Sequence, residues 1–297
     1  MRSDCSGLLW GGAEVGLIPI DSLEDPRIAV YRDLHTGADW RRRRRFIVEG
    51  KHLVSRLLVS RFKVESVLVE AERAAQQFQG LTPQVDCYVA SKELINQLVG
   101  FRFHRGVLAC GKRAQALSLA DLELSVMGPL RLVVCVQICD PENLGSVIRT
   151  AAGFGVQGIV FTQGCADPFS RRVTRVAMGA NLLLPLAEMT DCGEVLQQLA
   201  DQYQVQRYAA VVNHSALPLA EVRPGDRWAV VFGNEGDGMP ANLCQSCDQE
   251  VTIAMAEGVD SLNVGVAAGI FLYQMSRHAR SAAPVPDVPR PRPGPVE

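Results

Sequence analysis

Three segments of the chain carry residue types that could do chemistry. The first runs from Asp140 to Arg149 and holds Asn143, Gly145 and Arg149 within ten residues. It follows an apolar run and opens a helical pattern. Asn143 is a helix-capping type, and Gly145 allows another backbone to come close. An arginine on the first turns, with apolar neighbours, suits a phosphate. A surface arginine paired with Glu142 fits the same spacing. The second segment, from Val230 to Pro240, sets Gly233, Asn234, Glu235, Gly236, Asp237 and Gly238 after an apolar strand. Such a loop can turn tightly and lay backbone groups against a flat ligand, although an ordinary breaker-rich turn has the same composition. The third passes from Val251 through Ile253, Met255 and Gly258 to Ser261, Leu262 and Asn263, then into a small-residue helix. Ser261 and Asn263 fall at the helix start, where unpaired N–H groups favour anionic atoms. A capped core helix is the plain alternative.

Gly153, Gly155 and Gly158 spell the G-x-G-x-x-G of dinucleotide-binding proteins. That motif needs a strand before it and a helix after it. Here the order is reversed, so the glycines close a helix and the nicotinamide or flavin reading fails.

The elements that position these segments show as an alternation. Apolar runs at 130–138, 158–162, 208–212, 228–232 and 250–254 read as buried strands, and 144–154, 194–203 and 261–278 read as helices. The pattern predicts an α/β fold with a parallel sheet covered by helices. Residues 1–24 read as an N-terminal extension and 25–113 as a mixed α/β domain. Residues 114–129 form a linker, 130–280 a second domain, and 281–297, with six prolines, a disordered tail.

The 297 residues are 47% hydrophobic and carry a net charge of −2, which fits a globular protein of about two domains. That charge does not advertise nucleic-acid binding, so any such contact rests on local patches. The nine cysteines form no framework and suit a reducing cytoplasm. Cys244 and Cys247 make a single C-x-x-C without a second pair, so no metal is expected. No apolar run is long enough to span a bilayer, and the stretch 7–20, broken by Glu14 and without a basic flank, reads as an untidy N-terminus rather than a signal peptide.

Read together as N-L-G-S-V-I-R-T-A, V-F-G-N-E-G-D-G and I-A-M…S-L-N-V, the three segments resemble the motifs of the SpoU/TrmH family of RNA 2′-O-methyltransferases, in the same order. Asp167 to Ala180 resembles the family's intervening helix. The resemblance covers about half the chain. It implies the SPOUT fold with a deep C-terminal trefoil knot, S-adenosylmethionine as cofactor, and a homodimer whose active site draws on both subunits. It places Gly233, Ile253, Met255 and Leu262 in the cofactor pocket. It assigns catalytic roles to Asn143, Arg149, Glu235, Ser261 and Asn263. Arginine stays protonated, so Arg149 is read as a phosphate clamp that stabilises the developing alkoxide. Glu235 is a rival base where burial raises its pKa. Two departures stand out: Gly265 replaces a family serine, and Ala177 sits where serine is common.

Trp40 to Lys51 resembles the start of a substrate-binding domain like ribosomal protein L30e, and Phe101 to Cys110 its last strand. The run Arg41, Arg42, Arg43, Arg44 and Arg45 then reads as an RNA contact, with Arg172 and Arg175. Phe101 and Phe103 are expected in the core. Ribosomal RNA is the expected substrate and transfer RNA the second. A non-catalytic RNA-binding protein that keeps the knot is the alternative.

Overall fold

The structure is a computed structural model and describes residues 9–10, 13–14, 16–32, 34, 44–74, 85–113, 119–122, 124–258 and 261–277. Arg41, Arg42 and Arg43, part of the expected linker and the tail 281–297 lie outside the described residues.

Two sheets organise the chain, apart from a short antiparallel pair, β1 (Leu9–Trp10) and β2 (Ala13–Glu14). The first contains β3 (Leu17–Pro19), β4 (Arg45–Glu49), β5 (Val64–Glu70), β6 (Asp86–Ala90) and β7 (Val107–Lys112), in the order β3-β6-β5-β7-β4. It reaches back to Leu17, ahead of the boundary expected at residue 25, because Leu17, Ile18 and Pro19 pair in parallel with β6. Two helices flank it, α1 (Lys51–Leu58) and α2 (Lys92–Val99).

The second sheet is wholly parallel. Its strands are β8 (Leu130–Cys135), β9 (Gly158–Thr162), β10 (Leu186–Met189), β11 (Gln206–Ala210), β12 (Leu217–Pro218), β13 (Arg227–Phe232) and β14 (Gln249–Thr252), ordered β10-β9-β8-β13-β11-β14-β12. The five strands expected from sequence are present. β10 and β12 were not foreseen: one is a four-residue edge strand containing Glu188, the other two residues ending in proline, and neither gives an apolar run.

Helices cover both faces: α3 (Pro141–Gly153), α4 (Arg171–Val176), α5 (Cys192–Asp201), α6 (Ala241–Gln245) and α7 (Val264–Ser276). Pro141 begins α3, and Asp140 rather than Asn143 caps it, accepting from the Glu142 and Asn143 N–H groups at 2.7 and 2.9 Å. Pro at the first helical position favours this start. Asn143 is therefore inside the first turn, with its side chain free for other contacts. After Gly153, Gly155 at φ 70° turns the chain into β9, as the reversed glycine motif requires.

One apolar core joins the two sheets. Val48, Leu53 and Leu57 from the first half pack in the same cluster as Val133, Val173 and Ala177 from the second. Three phenylalanines meet at the junction: Phe169 lies 5.1 Å from Phe46 and 5.3 Å from Phe62 between ring centroids. Arg113 stacks 4.7 Å above Phe169 and pairs with Asp167 at 2.7 Å. Arg171 reaches Glu49 at 2.7 Å while its guanidinium lies 4.5 Å from the Phe101 ring centroid. Phe103 is buried in the first sheet's own core. Neither aromatic is free to stack a base.

Such sharing predicts a single cooperative unit. Phe169→Ala should lower stability by about 3–5 kcal/mol in chemical denaturation. The wild-type chain should unfold in one transition. Two separate transitions, or a loss below 1 kcal/mol, would contradict a common core.

Candidate active site

The carboxyl ends of β11, β13 and β14 and the start of α7 enclose a cleft of about 590 Å³. This volume suits a small-molecule ligand. All three sequence segments contribute to its lining. Asn143 comes from the first, Gly233, Asn234 and Glu235 from the second, and Ile253, Met255, Ser261, Leu262 and Asn263 from the third.

Two side-chain hydrogen bonds tie the segments together. The Asn263 amide donates to the Asn143 side-chain carbonyl at 2.7 Å. The Asn143 amide donates in turn to Glu235 Oε1 at 2.9 Å. Asn263 is also the cap of α7, accepting from the Gly265 and Val266 N–H groups at 2.9 and 3.3 Å. The chain of dipoles therefore starts at a helix N-terminus and ends on a carboxylate. Each link polarises the next in one direction, and both asparagine orientations are determined by their partners. Glu235 is exposed, so the burial that its role as a base needs is absent in this chain alone.

Asn234 builds the second loop. Its side-chain oxygen accepts from the N–H groups of Gly236 and Asp237 at 2.8 and 3.0 Å, and its amide donates to the Gln137 carbonyl at 2.7 Å. No role was expected for Asn234 or Gln137. The signal was present in Asn234, because an asparagine ahead of glycines makes such turns. Gln137 carries no comparable signal.

Glycines set the close approaches. A Cβ on Gly233 would fall 2.6 Å from the Met239 nitrogen and 2.7 Å from the Gly238 carbonyl carbon. A Cβ on Gly145 would fall 2.7 Å from Val176 Cβ, so α3 lies directly on α4. The Gly265 departure has a spatial reason: a Cβ there would meet Ser146 Oγ at 2.7 Å. Ser146 fills the place of the missing side chain.

The remaining expected residues stand apart from the cleft. Arg149 is exposed on α3 and is not among the lining residues. Among the described residues it has no ion-pair partner, and Glu142 pairs instead with Arg172. Arg175 is exposed on α4, and Arg44 and Arg45 are exposed at the start of β4. Arg45 pairs with Glu65 at 2.5 Å. Burial pushes the Cys247 thiol up to about 12 and raises that of Cys244.

The cleft gives a direct expectation for Gly233→Ala. The added methyl has backbone in its way, so the loop must shift, and S-adenosylmethionine affinity should fall at least about tenfold by calorimetry. An unchanged affinity would show that this loop does not shape the pocket.

Comparison with known proteins accords with the cleft. The family model described as the SpoU rRNA methylase family matches residues 131–273. An uncharacterized tRNA/rRNA methyltransferase of Mycobacterium bovis is 35% identical over 88% of this chain and 92% of its own length. The Bacillus subtilis 23S rRNA (guanosine(2553)-2′-O)-methyltransferase is 27% identical over 86% of this chain and 98% of its own. In fold, the chain resembles an AdoMet-bound rRNA methyltransferase from Sinorhizobium meliloti, with a TM-score of 0.75 at 23% identity over 89% of this chain and 99% of that one. The chain belongs to the SpoU rRNA methylase family and is an S-adenosylmethionine-dependent RNA methyltransferase.

Proposed function

We propose that the chain methylates a ribose 2′-hydroxyl of ribosomal RNA, with the cleft at the ends of β11, β13 and β14 as the cofactor site. The observation that carries this reading is the Asn263–Asn143–Glu235 hydrogen-bond chain on the rim of that cleft. A non-catalytic RNA binder would have no need for three polar side chains held in mutual register beside a small-molecule cavity.

The residues present fit the cofactor. Gly233 gives the close backbone approach, and Ile253, Met255 and Leu262 supply apolar lining, with no lysine or arginine among the described lining residues to oppose a cation. Bound there, S-adenosylmethionine supplies a methyl group on a positively charged sulfur, already a strong electrophile. The protein's task is then to align the hydroxyl and accommodate its charge. Asn143 and Asn263, held by each other, orient the ribose, with Ser261 beside them. Glu235 fixes Asn143 by accepting from its side-chain amide. Arg149 clamps the neighbouring phosphate and stabilises the oxyanion, and the proton leaves to water or phosphate.

Arg149 lies outside its own cleft, and this agrees with a homodimer in which each site takes residues from both subunits. Val266, Ile270 and Tyr273 project from α7 at 54%, 39% and 55% exposure. They stand at i, i+4 and i+7, so they form one apolar stripe on a helix whose other face is buried. A second copy of the chain would cover that stripe beside α3.

The same reading includes the trefoil knot. It is supported by family membership. The first sheet with its helices, from Leu17 to residue 113, acts as an L30e-like RNA-gripping domain, and 130–280 as the methyltransferase domain. Arg44, Arg45, Arg172 and Arg175, with Arg41, Arg42 and Arg43, contact phosphates. No helix among the described residues is long and apolar enough to cross a membrane, and the cytoplasm, where ribosomes are made, is the place of action.

Mapping blocked 2′-positions across total RNA, from cells with and without the protein, tests the assignment. One ribosomal position should lose its block, and an unchanged map would refute the function. Arg149→Ala should abolish methyl transfer, by at least about a hundredfold, with cofactor affinity retained. Wild-type turnover would remove Arg149 from the site. Ile270→Asp should yield monomers in sedimentation, whereas an intact dimer would place the interface elsewhere.

A further inference from the structure

A second cleft, of about 620 Å³, lies at the carboxyl ends of β8, β9 and β10. The polar side chains on its wall are Gln137, Thr162, Gln163, Thr190, Asp191 and Asn242, and among the described residues no lysine or arginine lines it. The carboxamides of Gln137, Gln163 and Asn242 make no hydrogen bond to another described residue. They supply donors and acceptors on one wall, a lining that matches the edge of a neutral heterocycle. With one carboxylate and no cation, it is wrong for a phosphate.

The position of this cleft relative to the methyl site is set by two features. The loop that lines the methyl cleft from Gly233 to Met239 continues without a break into Pro240 and Asn242 on the second cleft. The partition between them is crossed by the 2.7 Å hydrogen bond from the Asn234 amide to the Gln137 carbonyl. Gln137 is held at φ 51°, a conformation that non-glycine residues seldom adopt. Its N–H is fastened to Thr162 Oγ1 at 3.0 Å, and its Cγ would lie 3.3 Å from a Cβ on Gly164. Backbone strain of this kind persists only where the surroundings enforce it, and it collects at ligand sites.

We infer that the second cleft receives the base of the nucleotide whose ribose is methylated, and reads it through Gln137, Gln163 and Asn242. This inference rests on the reading of the chain as a ribose methyltransferase. The chemistry of a nucleotide supports it. The base is attached at C1′, next to the carbon that bears the reacting hydroxyl, so a ribose at the first cleft must set its base within a few bonds of the partition. A base turned out of its stack is read through its hydrogen-bonding edges, and splayed bases are the usual target of sequence-specific RNA recognition.

The test uses the full chain and a transcript of the ribosomal RNA that carries the mapped position, made with each of the four bases there. Methyl transfer to each transcript is compared between wild type and the Gln163→Ala/Asn242→Ala double variant. Both side chains are exposed, and melting temperature and S-adenosylmethionine affinity should be unchanged. Wild type should prefer the native base by about tenfold or more, and the double variant should lose that preference while kcat/KM on the native transcript falls about tenfold to a hundredfold. A variant that keeps the wild-type preference overturns the base pocket and leaves the methyltransferase reading standing. A wild-type chain that methylates all four transcripts equally well overturns the assignment to the target base. A wild-type chain that methylates no RNA refutes the proposed function instead, and this inference with it.

Discussion

Asn143 and Glu235 are 92 residues apart in the chain, and Asn143 and Asn263 are 120 apart. Two hydrogen bonds hold these three positions at one point. The first begins at the N-terminus of α7, and the second ends on a carboxylate. Neither asparagine can turn over without losing a partner at both of its ends. Every other feature of the site serves this arrangement. Asp140 caps α3, which leaves the Asn143 side chain free. Gly145 lets α3 lie on α4, and Gly265 lets α7 lie against Ser146. Asn234 folds its own loop so that Glu235 faces Asn143.

The rigid body behind the site has a comparable logic. The two sheets share one core, with Phe46, Phe62 and Phe169 at the junction and the Arg113 and Arg171 ion pairs around it. An RNA held by the first half would therefore stand at a defined distance from the cleft in the second. Close-packed interiors transmit position in this way because they deform little. The exposed stripe of α7 is the complement: it is apolar surface that the folded monomer leaves largely open to solvent.

Much of this was legible in the residues. The three central strands β8, β9 and β13 are near-continuous apolar runs, as burial on both faces requires, while β11 and β14 mix polar and apolar residues. The three chemical segments stood out by composition and order, and every residue assigned to the cofactor lines one cleft. The failures have physical causes. Asp140 and Asn143 are both capping types, and the proline between them, which marks the first helical position, was the deciding signal. Phe103 lies in the core as expected, Phe101 is only partly buried at its edge, and nothing local indicates that Arg171, 70 residues after Phe101, covers that ring. β10 and β12 lie at sheet edges, where mixed composition is tolerated. Gln137 adopts its left-handed conformation through Thr162 and Asn234, which are distant in sequence. Contacts made only in the fold leave no trace in local composition.

The central claim is that Asn143 and Asn263 act as one unit. A double-mutant cycle on methyl transfer, with Asn143→Ala, Asn263→Ala and the double variant, measures this directly. Coupled residues should lose no more kcat/KM together than the worse single variant loses alone, a departure from additivity of about 1 kcal/mol or more. Losses that multiply as if independent would mean that the two side chains act separately, and that the hydrogen bond between them does not organise the site.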